Sequence, residues 1–202
     1  MLTVVDTGLC NVGSCLNMLR KIGAEPVATD DPAIVAGASR VILPGVGSFD
    51  AGMHALRSRG LDAALHTAVR ERGATLLGIC LGMQLLARRS AEGETAGLGW
   101  IDADVVRFEA QPQLRIPHMG WNRVQPQSPS PLFDASESDA EFYFVHSFHV
   151  VPDDPALVTG ATTHGATFAA AVGHGRIHGV QFHPEKSHRH GLQLLRRFLE
   201  TA

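Results

Sequence analysis

The sequence predicts an α/β fold in three layers, with a mostly parallel central sheet flanked by helices and with antiparallel strand additions. Over residues 1–89, short apolar runs alternate with helical segments, which is typical of parallel β-α-β units. A glycine-flanked turn at residues 78–82 joins a buried strand to a helix. After Ser90 the pattern changes to short strand-like segments separated by Pro, Ser and Gln.

The first half of the chain supplies the parallel strands and most of the helices. Apolar side chains recur at helical spacing in residues 11–22, and Gly23 is suited to end that helix. Residues 30–32 read as an N-cap with proline at an early helical position. The predicted strands are residues 2–5, 26–29, 40–43 and 74–79. The predicted helices are residues 11–22 and 81–89, and residues 52–72 are predicted as a helical region.

The second half is predicted to be mainly antiparallel and to pack on the same core. Residues 125–131 (QPQSPSP) are expected to form a loop, because too little chain lies on either side for two separate cores. We therefore expect one domain, residues 1–202. The predicted strands are residues 103–108, 121–124, 142–145, 148–151, 167–172 and 177–181, followed by a helix at 190–199.

Composition excludes several classes of function. A formal charge of -3 argues against nucleic-acid binding, and no apolar run is long enough for a membrane span or a secretory signal. The three cysteines are odd in number and show no CxxC spacing, which favours a reducing, cytoplasmic setting. Five of the eleven histidines cluster near the end of the chain, but their spacing matches no standard zinc site, so we expect no metal.

The turn Gly78-Ile79-Cys80-Leu81-Gly82 has a nucleophile between two glycines at a strand-to-helix junction. This is the pattern of a hydrolase elbow with cysteine in place of serine. A Cβ at either glycine would meet neighbouring backbone, and the nucleophile takes a strained conformation that costs about 1–3 kcal/mol. The helix start favours a thiolate. For this segment alone, a buried and inert cysteine is an equal alternative.

A histidine and a carboxylate follow a later strand at residues 179–185. Pro184 favours an extended His183, and side chains two residues apart project to the same side, so Glu185 can hold one ring nitrogen and leave the other for the thiol. That is the arrangement of nucleophile, base and orienting group in a catalytic triad. A solvated His-Glu turn is the alternative for this segment alone.

The turn Pro44-Gly45-Val46-Gly47 ends the strand at residues 40–43, and its amides can point at an anion. This turn and Cys80 both lie at carboxyl ends of predicted strands, where sites collect in open α/β sheets. An ordinary turn is the alternative.

Together these segments resemble the class I (triad) glutamine amidotransferases, which have a flavodoxin-like fold: PGVG matches the oxyanion strand, GICLGMQ the elbow and GVQFHPEKS the His-Glu pair. Residues 117–122 (PHMGWN) and 143–148 (YFVHSF) further resemble the glutaminase subunits of imidazole glycerol phosphate synthases. The resemblance covers essentially the whole chain. One departure is D-T-G-L-C-N at residues 6–11, where many relatives have D-Y-G-x-G-N.

The resemblance implies a glutaminase that uses a cysteine thioester, acts as part of a lyase and needs no cofactor. Its ammonia would go directly to a (β/α)8 cyclase subunit in a heterodimer, for imidazole glycerol phosphate and aminoimidazole carboxamide ribotide formation in histidine biosynthesis. The implied residues are Cys80, His183 and Glu185 for catalysis; Val46, Gly47 and Leu81 for the oxyanion; Gly45, Gln84, Ser147 and Phe148 for glutamine; and Asn11, Trp121, Tyr143 and Lys186 for the partner.

Three other functions remain open from the sequence. A paralogous glutaminase could feed another synthase, for example in surface-sugar amidation or pyridoxal phosphate synthesis. A non-catalytic scaffold would have no need of all three triad residues, and a thiol hydrolase acting on peptides fits Gln84 less well. For Trp121, core packing is an equal alternative to a partner interface.

Overall fold

The computed structural model describes residues 1–127, 129–134 and 140–201. Its strands are β1 (Leu2–Val5), β2 (Pro26–Thr29), β3 (Arg40–Gly45), β4 (Thr75–Cys80), β5 (Arg89–Ser90), β6 (Ala103–Arg107), β7 (His118–Arg123), β8 (Gln125–Pro126), β9 (Glu141–His146), β10 (Phe148–Pro152), β11 (Val158–His164), β12 (Ala166–His174) and β13 (Ile177–Val180). The α-helices are α1 (Gly13–Lys21), α2 (Pro32–Ala36), α3 (Phe49–Ser58), α4 (Leu61–His66), α5 (Leu81–Gln84) and α6 (His188–Glu200).

The main sheet has the strand order β2-β1-β3-β4-β13-β12-β11-β8. The strands from β2 to β13 in this order run parallel, and β12, β11 and β8 continue the sheet in antiparallel fashion. The predicted fold class is therefore confirmed. The carboxyl ends of β3 and β4 lie side by side, with Gly45 opposite Cys80 in the ladder.

Hydrophobic clusters cover both faces of the parallel strands. Val41 and Leu43 of β3 face the cluster that includes residues of α3 and α4, whereas Ile42 faces the cluster that includes residues of α1 and α6. Strands buried on both faces read as continuous apolar runs rather than as alternating patterns. This is why the parallel strands could be located from the sequence.

The remaining antiparallel strands form two small sheets, β10-β6-β5 and β7-β9. Val105 of β6 and Val150 of β10 belong to one of the clusters on the main sheet, and Phe142 and Phe144 of β9 belong to the other. The second half of the chain therefore packs on the same core, as predicted.

The helical region predicted at residues 52–72 is divided into separate helices in the structure. Helix α3 begins earlier, at Phe49, and ends before Gly60, which has a left-handed φ of 68°. Helix α4 then starts in a new direction and continues as a π-helical turn at Thr67–Glu71. The apolar periodicity runs through this break, so it could not reveal the left-handed residue.

The predicted helix at residues 81–89 is also too long, since α5 ends at Gln84. The carbonyl of Leu85 accepts from the Leu98 amide, and that of Leu86 accepts from the Trp100 and Ile101 amides. The loop at residues 98–101 therefore occupies the carbonyl oxygens that would accept hydrogen bonds in a longer helix. Arg89, at the predicted helix end, lies in strand β5.

Two further predictions need correction. Part of the expected loop at residues 125–131 is strand β8, whose Gln125 and Pro126 pair with β11, while residue 128 lies outside the described residues. Strand β11 was missed, because its sequence VTGATTH lacks the large apolar residues that mark the other strands. Within the described ranges, no helix combines the length and the apolar character needed to cross a membrane.

Candidate active site

Cys80 lies at the end of β4 with φ 54° and ψ -109°, a backbone conformation that a residue with a side chain rarely adopts. The flanking glycines make this turn possible. A Cβ on Gly82 would lie 1.8 Å from the Leu43 oxygen, and one on Gly78 would lie 2.6 Å from the Gly82 oxygen. The elbow is thus packed directly against β3, with no room for a side chain at either position.

The ring of His183 and the carboxylate of Glu185 are brought together as the spacing predicted. His183 Nδ1 lies 2.7 Å from Glu185 Oε1, and both side chains are largely buried. Strand β13, which precedes His183, pairs with β4 through Val180 opposite Ile79, so the two turns project from neighbouring strand ends.

The electrostatics of His183 depend on two neighbours. Burial opposes the protonated ring, but hydrogen bonding and charge interactions with Cys80 and Glu185 outweigh it and raise the pKa of His183 to about 9. Burial raises the pKa of Cys10 to about 11 and that of Cys15 to about 12, so these two thiols stay protonated at neutral pH. Among the three cysteines, only Cys80 faces the imidazole that can pair with a thiolate.

Two polar residues that support the site were missed from the sequence. Gln181 is fully buried and its Nε2 lies 3.8 Å from the Cys80 sulfur. Ser187 Oγ donates to the His183 carbonyl at 2.6 Å and accepts from the Tyr143 amide at 3.0 Å. The signal for Gln181 was available, because side chains two residues apart in an extended segment project to the same side and His183 is extended. Glu185 instead lies in the 3₁₀ turn Pro184–Lys186.

The predicted oxyanion turn lies next to the elbow. Gly45 is the last residue of β3, opposite Cys80, and Val46 is 38% exposed at the rim. Gly47 has φ 104°, a conformation that glycine adopts freely and other residues rarely do. Leu81 is the first residue of α5, directly after the nucleophile.

A cavity of about 350 Å³ opens over Cys80 and is lined by Val46, Gly47, Leu81, Gln84, Glu92, Pro117, Val145, His146, Ser147 and Phe148. The predicted glutamine-binding residues Gln84, Ser147 and Phe148 all line it. Gly45, the fourth predicted glutamine contact, does not; as the last residue of β3 it lines a second, neighbouring cavity. Glu92 was missed, since it lies in a loop without a motif. Its Oε2 accepts from the Phe49 amide at 2.8 Å, which fixes the carboxylate beside the cavity.

A second cavity of about 220 Å³ lies against His183 and Glu185 and is bordered by Asn11 and Lys186. Val46 lines both cavities. The Lys186 ammonium stands 5.7 Å from the centre of the Tyr143 ring, and the Trp121 ring is 6.0 Å from that of Tyr143.

The four predicted partner residues therefore lie near one another, close to the second cavity. Trp121 is 47% exposed and stacks on His188, so it is not a core residue.

Histidines are numerous around the site, but they do not form a metal centre in the part of the chain that the structure describes, where no group of three or more His, Cys, Asp or Glu side chains could hold a metal ion. Several of them pack against phenylalanine rings in tilted or edge-on arrangements instead. For example, the centroid of the Phe108 ring lies 5.2 Å from that of His146 and 4.7 Å from that of His149.

Solved structures of similar fold include one described as a glutamine amidotransferase, with a TM-score of 0.76 and 20% identity over 99% of this chain and 98% of that one. Another is the glutaminase domain of Trypanosoma brucei CTPS with bound acivicin, with a TM-score of 0.64 and 14% identity over 100% of this chain and 94% of that one. At these identities the likeness concerns the fold alone.

Sequence comparison is more specific. The profile of the family "Glutamine amidotransferase class-I" matches residues 3–202. Imidazole glycerol phosphate synthase subunit HisH 2 of Pseudomonas aeruginosa is 46% identical over the full length of both chains. The HisH subunit of Synechococcus elongatus is 47% identical over 98% of this chain and 92% of its own. The chain therefore belongs to the class I glutamine amidotransferases and, within them, to the family of imidazole glycerol phosphate synthase subunits HisH.

Proposed function

We propose that this chain is the glutaminase subunit of an imidazole glycerol phosphate synthase and hydrolyses glutamine to glutamate and ammonia for histidine biosynthesis. The observation that carries the proposal is the Cys80 sulfur, held in a strained elbow below a cavity and beside the His183 ring that Glu185 orients. Membership of the HisH family supports the same reaction. Residues 1–202 then act as one amidotransferase domain.

In the proposed reaction, the Cys80 thiolate attacks the side-chain carboxamide carbon of glutamine. His183, which its raised pKa of about 9 keeps protonated at neutral pH, gives its proton to the leaving nitrogen. The C–N bond breaks, and ammonia and a γ-glutamyl thioester result. The neutral imidazole then takes a proton from water as the water attacks the thioester, the C–S bond breaks, and the thiolate and imidazolium are restored. Glu185 holds Nδ1 throughout.

The oxyanion of the tetrahedral intermediates would be held by the Leu81 amide and by the Val46 or Gly47 amide. Removal of one such donor typically costs about 2.7–4 kcal/mol of transition-state stabilisation. The left-handed φ of Gly47 makes reorientation of the turn inexpensive, which would allow an amide of the turn to face the oxyanion only when substrate is present.

Glutamine fits the cavity beside Cys80 in size and in charge. The carboxylate of Glu92 is suited to pair with the substrate ammonium group. Both N–H groups of Gln84 donate to protein acceptors, the Phe148 carbonyl and Gln181 Oε1, each at 3.0 Å. Gln84 therefore offers its oxygen to the ligand, and Ser147 and Phe148 complete the lining beside it.

Ammonia released into bulk water would be protonated and lost, so it must pass to a partner directly. We propose a cyclase subunit with a (β/α)8 barrel as the other member of a cytoplasmic heterodimer, docked on the face with Asn11, Trp121, Tyr143 and Lys186. The second cavity, between this face and His183, supports that choice. The exposed Trp121 fits an interface anchor.

The other functions can be compared with the same geometry. A scaffold would need neither the strained elbow nor the buried His183–Glu185 pair. A peptide hydrolase would need a cleft for an extended chain rather than a cavity of about 350 Å³. A paralogous glutaminase would share the whole site and differ only in its partner.

The experiment compares the purified chain with and without its cyclase partner and nucleotide ligand, by measuring glutamate release from glutamine. We expect little release alone and a large rise in the complex. Cys80→Ala should abolish release while leaving complex formation and ammonia-dependent cyclase activity intact. Glutamate release by the alanine variant at the wild-type rate would exclude Cys80 as the nucleophile, and failure to stimulate with the histidine-pathway cyclase would favour a paralogous synthase.

A further inference from the structure

A row of hydrogen-bonded polar side chains extends from the glutamine cavity, which His146 lines, to strand β7. His118 Nδ1 lies 3.0 Å from His146 Nε2, and His146 Nδ1 lies 2.8 Å from the Phe148 carbonyl oxygen. At the other end, Asn122 Nδ2 lies 3.2 Å from His118 Nε2 and donates to the Thr163 carbonyl at 2.9 Å. Only 5% of His118 and 7% of His146 are exposed.

The chemistry of these groups fixes the direction of every bond in the row. A carbonyl can only accept, so His146 Nδ1 carries the hydrogen. Burial lowers the pKa of His146 to about 3 and that of His118 to about 4, so both rings are neutral. Nε2 of His146 must then accept from Nδ1–H of His118, and Nε2 of His118 must accept from the Asn122 amide. Both rings are therefore in the Nδ1–H form.

The Phe148 carbonyl links this row to the nucleophile. It also accepts from Gln84 Nε2 at 3.0 Å, and the second N–H of Gln84 donates to Gln181 Oε1 at 3.0 Å. Gln181 Nε2 in turn faces the Cys80 sulfur at 3.8 Å. A shift of the Phe148 carbonyl would consequently disturb the two glutamines that border the reacting sulfur.

The outer end of the row, His118 and Asn122, lies on strand β7, whose two faces differ in solvent exposure. Along β7, His118 and Asn122 point inward, whereas Met119 and Trp121 are 63% and 47% exposed. A contact made by the exposed face therefore acts on the same strand that carries the row.

We propose that His118 and His146 are positioning residues: their row of hydrogen bonds fixes the Phe148 carbonyl and makes the shape of the glutamine pocket depend on the position of strand β7. Both nitrogens of both rings are taken, so neither ring acts as an acid or a base. The inference rests on the proposed glutaminase function and names two residues that shape its pocket.

The first test is glutaminase kinetics of the complex with the cyclase partner. His118→Phe keeps an aromatic ring beside Phe144 and Phe168 but removes the donor to His146. We expect KM for glutamine to rise about ten-fold, with a smaller change in kcat. His118→Asn, whose side-chain N–H can take the place of Nδ1–H, should recover much of the loss.

The matched control is His164→Phe, because the His164 ring stacks on His118 at 4.3 Å but lies outside the row. Its KM should stay near the wild-type value. Equal effects of the two phenylalanine variants, an unchanged KM in His118→Phe, or a loss confined to kcat would overturn the proposal.

A second measurement does not depend on activity. Nitrogen-15 NMR of the wild-type rings should find His118 and His146 both in the Nδ1–H form, and an Nε2–H form at either ring would contradict the proposed row. If the wild-type complex released no glutamate, the proposed function would fail. The NMR measurement would still show whether the two rings have the tautomers that the row of hydrogen bonds requires.

Discussion

The turn that carries Cys80 and the turn that carries His183 follow neighbouring strands, yet they are held in different ways. The elbow is fixed by backbone contact, since the position of a Gly82 Cβ is 1.8 Å from the Leu43 oxygen. The His183 turn is fixed by hydrogen bonds, from its own amide to the Tyr143 carbonyl at 2.9 Å and from Ser187 to its carbonyl at 2.6 Å. The His183 turn also has one close backbone approach, since a Cβ on Gly191 would lie 1.9 Å from the Pro184 oxygen. It differs from the elbow in that it depends on buried polar groups in addition to packing.

The largest effect should come from adding one methyl group to the elbow. Gly82→Ala places a Cβ inside the backbone of β3, so the elbow must move. We expect a loss of unfolding free energy of about 3 kcal/mol or more, with little active protein. Gly37→Ala is the control, because its Cβ would meet only ordinary contacts at 3.6 Å. Urea unfolding checks both, and a Gly82→Ala protein as stable as the control would refute the packing account.

An intermediate effect is expected from the hydrogen-bonded turn. Ser187→Ala removes a buried hydroxyl that serves the Tyr143 amide and the His183 carbonyl. The Tyr143 amide would be left unpaired, while the His183 carbonyl would keep its other donor, the Lys186 amide at 3.0 Å. The substitution should cost about 1–3 kcal/mol of unfolding free energy. Ser58→Ala, which removes an exposed hydroxyl at 3.4 Å from the Ala55 carbonyl, is the matched control. If both serine variants unfold at the same urea concentration, the turn does not depend on Ser187.

The effect that is smallest per pH unit is a pH dependence that separates two groups of histidines. The folded-state pKa of His183 is about 9, above the ordinary 6.5, so its stabilisation is complete below pH 6.5 and is lost as pH rises through about 9. His118 and His146 have lowered pKa values, so they stabilise the fold above pH 6.5 and cease to do so as pH falls toward 4 and 3.

Unfolding free energy should therefore decline on both sides of neutrality. On the alkaline side we expect a loss of up to about 1.4 kcal/mol for each pH unit between pH 6.5 and about 9. Glu185→Gln removes one of the interactions that raise the pKa of His183, so its alkaline decline should be smaller. Urea titrations at a series of pH values measure this, and parallel declines for both proteins would contradict the assignment to His183.

The sequence located the parallel strands and both turns because each depends on local signals. Cys80 is marked by its two glycines, and Glu185 by its spacing from His183. The pairing of His118 with His146 depends on the register of β7 against β9, which places them opposite each other across 28 residues of chain. No local pattern encodes that register. The shortened helix α5 likewise depends on a loop that returns from residues 98–101.

The tight clearance at Gly82 and Gly78 also bears on how this protein can change over generations. Every other amino acid has a Cβ, so neither position has a conservative replacement, and a lineage that abandons them abandons the strand-to-helix junction itself. Replacement of Cys80 is not limited by space in this way, because the side chain of serine or alanine would fit at that position. A descendant that has lost its chemistry but kept its architecture should therefore retain both glycines and lack the thiol between them.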